Sequence, residues 1–243
     1  MTARILLMDI ETAPNLGWIW GKYEQNVIEF EQTWFMLCFG YKWLGEDSVR
    51  VCSLPDYGNY KHSKTDDSAL VRDLRTVLDE ADIVIGHNVD AFDVKKTNAR
   101  LITHGVEPPS PYKTVDTLKL AKKHFRFDGN KLNDLGEYLE LGRKLSVGWP
   151  TWKGCIEGDE ASWAKMVEYN ARDVLLLEQV YLKLRPWATT HPDVSLGNAD
   201  GSCPTCGSTH IQRRGKVTAR TRQYQRLNCQ DCGHWFQGPI VKA

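Results

Sequence analysis

The octapeptide ILLMDIET, residues 5–12, constrains the fold of this chain more than any other stretch. Its apolar residues predict a buried β-strand. Residues two apart on a strand share a face, so Asp9 and Glu11 point one way while Met8 and Ile10 point the other. Two carboxylates side by side repel, and one of them would stay protonated in isolation. A divalent cation removes that penalty, and oxygen ligands suit Mg²⁺ or Mn²⁺. The plainer alternative is a strand end with one acid turned to solvent, and for a lone Asp-x-Glu that alternative prevails.

Further acids follow along the chain. The segment GHNVDAFD, residues 86–93, places Asp93 just after a short apolar strand and at the start of a helix, where it could equally serve as a cap. The segment YNARD, residues 169–173, places Tyr169 and Asp173 at i and i+4, on one face of a long helix.

The periodicities between these motifs read as an α/β protein. Residues 34–44 and 48–54 are predicted strands joined by the turn Gly45-Glu46-Asp47, hence an antiparallel hairpin. A helix is predicted over 68–81, with Asp67 or Ser68 as cap. Residues 82–88 and 112–117 read as strands, and 92–105, 118–125 and 131–141 as helices. The stretch 142–160 is rich in Gly and Trp and reads as a loop, with GWPTWKG at 148–154 facing substrate. Residues 162–184 form a long helix with Trp163, Met166, Asn170, Val174, Leu177 and Tyr181 on one stripe. Early strands with a hairpin, then alternating strands and helices, predict a mixed five-stranded sheet flanked by helices.

Together the three acidic motifs resemble those of the DEDD (DnaQ-like) 3′–5′ exonuclease superfamily, whose fold is ribonuclease H-like. Asp9 and Glu11 match its first motif, Asn88, Phe92 and Asp93 its second, and Tyr169 and Asp173 its third. The likeness covers about residues 5–185 and is closest to the proofreading domains of B-family DNA polymerases. The sister branch has a catalytic His five residues before the last Asp. Here that position is Glu168, so the tyrosine (DEDDy) branch is the match. The resemblance implies phosphodiester hydrolysis with two Mg²⁺ or Mn²⁺ ions held by Asp9, Glu11, Asp93 and Asp173. It gives Tyr169 an orienting role, since a phenol is protonated at neutral pH. It also implies that Thr12 and Asn88 meet the substrate's 3′ end. Trp18, Trp20 and Phe92 are stacking candidates, with core packing as the alternative for each, and His87 reads as a structural neighbour of Gly86.

The C-terminus carries a different chemistry. Cys203-x-x-Cys206 and Cys229-x-x-Cys232 are each followed by Gly, which tolerates the positive φ of a metal knuckle. Four thiolates suit one structural Zn²⁺. A segment this small needs such a staple to fold. His210 and His234 are spare ligand candidates, and a redox Cys-x-x-Cys is the weaker alternative. The segment resembles a four-cysteine zinc ribbon. Composition matters here, because a net charge of zero hides an asymmetry. Residues 201–243 hold seven Lys or Arg and one acid, against an acidic remainder. Arg213, Arg214, Arg220 and Arg222 are therefore candidate contacts to a polyanion. The expected organisation is an exonuclease domain over 1–189, a linker over 190–200 and a zinc ribbon over 201–243.

The expected activity is that of a 3′–5′ exodeoxyribonuclease in replication, repair or recombination. The expected partners are single-stranded DNA or DNA 3′ ends, with a replication or repair protein as a further partner of the ribbon. An RNA exonuclease or a structure-specific nuclease stands as the alternative, and a non-catalytic nucleic-acid-binding protein as the alternative of another class. No apolar run is long enough to span a bilayer, and ILLM is too short for the core of a signal peptide. With an odd cysteine count, this predicts a reducing, cytoplasmic setting. A lone exonuclease joined to a ribbon also resembles compact phage gene products.

Overall fold

The computed structural model describes residues 3–23, 26–143, 145–196 and 201–241. Strand β1, Ile5–Thr12, takes the bounds its sequence predicts. A two-stranded hairpin follows, β2 (Leu16–Trp18) and β3 (Glu29–Gln32), and then the antiparallel pair β4 (Met36–Trp43) and β5 (Arg50–Ser53). Helix α1 (Ser68–Asp79) leads to β6 (Ile83–Gly86), α2 (Asp93–Thr103), β7 (Lys113–Asp116) and α3 (Thr117–His124). Helices α4 (Leu132–Tyr138), α5 (Trp149–Glu157) and α6 (Glu160–Leu184) complete this part. The main sheet runs β5-β4-β1-β6-β7, with β1 antiparallel to β4 and parallel to β6. It is the mixed five-stranded sheet that the order of elements predicts, with β1 at its centre.

That central place explains the composition of β1. Leu6, Met8 and Ile10 enter the core layer shared with Leu70 and Leu74 of α1. Leu7 enters the opposite layer, with Val174 and Leu177 of α6. Asp9 and Glu11 lie on the face of Leu7, so the strand's apolar anchors leave both carboxylates turned toward α6. Beyond α6 the chain makes a 3₁₀ turn over Arg185–Trp187, and a three-stranded sheet follows: β8 (Ile211–Thr218), β9 (Gln223–Cys229) and β10 (Trp235–Ile240). No described helix is long and apolar enough to cross a membrane.

The expected loop over 142–160 is instead largely helical, as α5. Pro150 sits in its first turn, where a missing N–H costs nothing. Gly158, at φ 88°, closes it. Its inner glycine is what lets it pack: a Cβ on Gly154 would stand 2.0 Å from Ser162 Oγ on α6. GWPTWKG is therefore part of a helix–helix contact rather than a free loop. The hairpin β2–β3 has no counterpart in the sequence pattern, because its strands are short and its residues mostly exposed.

Asp67 holds the cap position of α1, but its side chain makes no cap bond. It accepts from Met36 N at 2.7 Å, Arg100 Nε at 2.7 Å and His104 Nε2 at 2.6 Å. The expected linker is pinned where described. Tyr181 Oη and His191 Nε2 lie 2.8 Å apart, and Val194 N donates to Pro204 O at 2.8 Å. Residues 197–200 of it lie outside the described residues.

Candidate metal centres and nucleic-acid interface

Carboxylate oxygens of Asp9, Glu11 and Asp173 lie within 4.8 Å of one another. Asp173 is fully buried on α6, and the two acids of β1 are half-buried. Asp93 stands outside this trio. As the first residue of α2 it reaches the edge of β1, and its Oδ1 accepts from Ile10 N at 3.1 Å, between the two strand acids. Burial first, and then the charge of Asp9, push its carboxyl well above the usual range.

Tyr169 sits one turn before Asp173 and hydrogen-bonds to it. Trp152 of α5 packs edge-on against the Tyr169 ring at 5.9 Å. Burial, then the Asp173 and Glu11 carboxylates, hold the Tyr169 hydroxyl protonated far above the usual phenol range. The Tyr169 ring is thus packed against α5, while its hydroxyl faces the acids.

One residue that the motifs do not single out completes the arrangement. Asn170, fully buried, donates from Nδ2 to Asp9 Oδ2 at 2.7 Å. Gly40 of β4, the register partner of Asp9, makes room for it: a Cβ there would meet Asn170 Oδ1 at 2.5 Å. The available signal was a buried-stripe position of α6 occupied by an amide.

Two cavities flank the acids. One, of about 610 Å³, is lined by Asp9, His87, Asn88, Lys122, Asn130 and Lys131, among others. Asn88 has φ 68°, rare for a residue with a side chain, and its N–H donates to Asp116 Oδ1 at 3.0 Å. His87 is held at 2.9 Å by Thr117 Oγ1 and by Asn130 O, the structural role expected of it. The other cavity, of about 340 Å³, is lined by Thr12, Trp34, Lys96, Trp149 and Trp152, with Lys96 Nζ 3.7 Å from the Trp34 ring centre. Phe92 is 37% exposed. Trp18 and Trp20, at 63% and 84%, lie on the β2–β3 hairpin and its loop and line neither cavity.

At the C-terminus the sulfurs of Cys203, Cys206, Cys229 and Cys232 also lie within 4.8 Å of one another. Cys203 and Cys232 are 3.6 Å apart, as are Cys206 and Cys229. Four thiolates at about 2.3 Å from one tetrahedral zinc would stand roughly 3.8 Å apart. The glycines after the two pairs, Gly207 and Gly233, have φ of 74° and 80°, the conformation expected of them. Burial raises the Cys229 thiol, but backbone N–H groups of Cys232 and Asp231 outweigh it and bring the group to about 7. Neither histidine joins the cluster: His210 Nδ1 pairs with Asp231 at 3.1 Å, and His234 Nδ1 bonds Pro186 O at 2.8 Å. Arg213, Arg214, Arg220 and Arg222 are exposed in and between β8 and β9. The donor sets thus fit two kinds of ion, a hard cation at the oxygens and a soft one at the sulfurs.

No curated protein matches the chain. Among solved structures it is similar to the family B DNA polymerase from the hyperthermophilic archaeon Pyrobaculum calidifontis, with a TM-score of 0.57 and 15% identity. The superposition covers 93% of this chain and 32% of the polymerase, so the chain spans about a third of that protein's length. The RNase_H_2 family model, described as RNase_H superfamily, matches residues 28–185, which include Asp93, Tyr169 and Asp173 and begin after β1. By that match, over well more than half of its length, the chain belongs to the RNase_H superfamily.

Proposed function

We propose that the chain is a divalent-metal-dependent 3′–5′ exonuclease of the tyrosine (DEDDy) branch, acting on DNA, with a C-terminal zinc ribbon that binds nucleic acid. The observation that carries this reading is the convergence of Asp9, Glu11 and Asp173 within 4.8 Å, from strand and helix motifs far apart in the chain. Asp93 at the edge of β1 and Tyr169 beside Asp173 complete the set. The four carboxylates would hold two ions such as Mg²⁺ or Mn²⁺, which supply positive charge at the scissile phosphate and a nucleophile at neutral pH.

The chain's own groups do the positioning. Asn170 fixes one oxygen of Asp9. Asp93 ties the start of α2 to the backbone between the two strand acids. Tyr169, held protonated, orients water and phosphate through its hydroxyl rather than removing a proton. Asn88 and Thr12, at the mouths of the two cavities, meet the terminal nucleotide. The four ribbon arginines contact backbone phosphates, with a replication or repair protein as the ribbon's further partner.

A 5′-labelled single-stranded DNA and the matching RNA, each incubated with Mg²⁺ or with EDTA, test this. The expected result is a 3′-shortening ladder on DNA that needs Mg²⁺ and vanishes in Asp9→Ala. Equal inertness of wild type and Asp9→Ala on both substrates overturns the enzyme reading. A ladder on RNA alone overturns the choice of DNA.

A further inference from the structure

The cleft beside Asp9 does not end at the acids. Its far wall is the end of α3 and the loop to α4, where Lys122 and Lys131 stand exposed. Neither makes an ion pair among the described residues. From 119 to 131 the chain carries five Lys or Arg and one acid, Asp128, in a body that is otherwise acidic. Lys119 is taken up by Asp90 at 2.7 Å, which leaves the basic groups nearest the cleft available.

Aromatic rings interleave with these charges. Phe125 stacks on Phe127 with centroids 5.1 Å apart, Phe127 meets Tyr138 edge-on at 5.0 Å, and Phe125 meets Trp187 at 5.2 Å. The two ends of this run are the exposed ones, Tyr138 at 65% and Trp187 at 51%. Three acids, Asp128, Asp134 and Glu137, line the surface beside Tyr138, and two of them have partners. Asp134 accepts from Lys131 N at 3.0 Å, and Glu137 accepts from Asn133 Nδ2 at 2.7 Å.

Trp187 follows Pro186, whose carbonyl holds His234 of the C-terminal sheet. Next to His234, Trp235 is exposed and lies under the Arg226 guanidinium at 5.5 Å. Charge and aromatic surface therefore continue from the acidic trio, through the α3–α4 loop, to the β8–β10 sheet. Asp173 and Leu184 are separated by eleven residues of α6, roughly 16 Å of helix, so the track is short.

We propose that this surface is a track for single-stranded nucleic acid, with Lys122 and Lys131 on the backbone phosphates nearest the acidic site and Tyr138 and Trp187 stacking bases on the way to the ribbon. The proposal rests on the nuclease reading above and adds a path to it. Isolated lysines would serve any anion. Exposed rings beyond them match a strand with unpaired bases, each of which offers a face. A duplex hides those faces.

The test is binding by the full chain, in Ca²⁺ without Mg²⁺, to 5′-fluorescent oligothymidylates of increasing length over a salt series. Wild-type affinity is expected to rise with length. The variant Lys122→Ala with Lys131→Ala is expected to lower the salt slope by about 1.4, two single-strand phosphates' worth. Tyr138→Ala and Trp187→Ala are each expected to weaken long oligomers about tenfold, and short ones much less. A structural defect would weaken all lengths alike. An unchanged salt slope, or length-independent losses in both aromatic variants, overturns the track. The Asp9→Ala ladder tests the nuclease reading separately, so failure of one is distinguishable from failure of the other.

Discussion

Asn170 shows how a single amide governs a carboxylate on another element. Its Nδ2 reaches both the side chain and the carbonyl of Asp9, at 2.7 and 3.3 Å. The residue is fully buried, so it cannot fall back on water. Asn170→Ala is expected to raise the Mg²⁺ concentration needed for half-maximal digestion by about 10–100-fold, the usual cost of losing a partner that orients a metal ligand. It should also lower stability by about 1–3 kcal/mol. Asn170→Asp keeps the shape but replaces the donor with another negative charge, and should not rescue. A magnesium titration with each variant, beside a urea melt, checks this; an unchanged magnesium curve would assign Asn170 to packing alone. The acids themselves were legible, because carboxylates in an apolar strand and at i, i+4 to a tyrosine stand out against their surroundings. Asn170 was not, because an amide on a helix stripe has many ordinary explanations, and only the register of Asp9 with Gly40 shows which one applies.

Elements were legible where one signal dominated, as in the continuous apolar run of β1 and the three-to-four spacing of α1 and α6. Helix α5 was hidden because its glycines and tryptophans signal a loop locally, and its helical form depends on Gly154 meeting Ser162 of α6. The role of Asp67 was hidden for a similar reason. A residue before a helix suggests a cap, yet this carboxylate, at the start of α1, joins β4 through the Met36 N–H and α2 through Arg100 and the following His104. With the carboxylate fully buried, removing it strands the Arg100 guanidinium and an unpaired N–H of the sheet. Asp67→Ala is expected to cost about 3 kcal/mol or more in chemical denaturation, while Asp66→Ala beside it costs far less. A loss below about 1 kcal/mol would mean that solvent or another group replaces Asp67 and that the clip does not hold α1, α2 and β4 together.

At the scale of the whole molecule, the two ion-binding donor sets differ in what they hold up. The acidic trio sits on a sheet whose core, Leu6 to Trp163 on one face and Leu7 to Leu184 on the other, closes without any metal. Among the described residues the C-terminal sheet has no comparable core: its buried cluster is Cys203, Cys229 and Cys232, with Cys206, Ile211 and Phe236 packed against it and Leu227 buried beside them on β9. Three strands around so few apolar side chains fall short of the entropy they must overcome, so the sulfurs must be bridged for the sheet to persist. Stripping the zinc ion proposed for this cluster, with a thiol-selective chelator, is therefore expected to abolish amide-exchange protection in β8–β10 and leave β1, β4 and β6 protected. The Pro186–His234 bond does not oppose this, since a single hydrogen bond contributes about 1 kcal/mol. Thermal melts should then leave the main transition unmoved. If chelation instead lowers the main transition by more than a few degrees, or leaves β8–β10 protected, the two parts share one cooperative unit and the thiol cluster is not what closes the sheet.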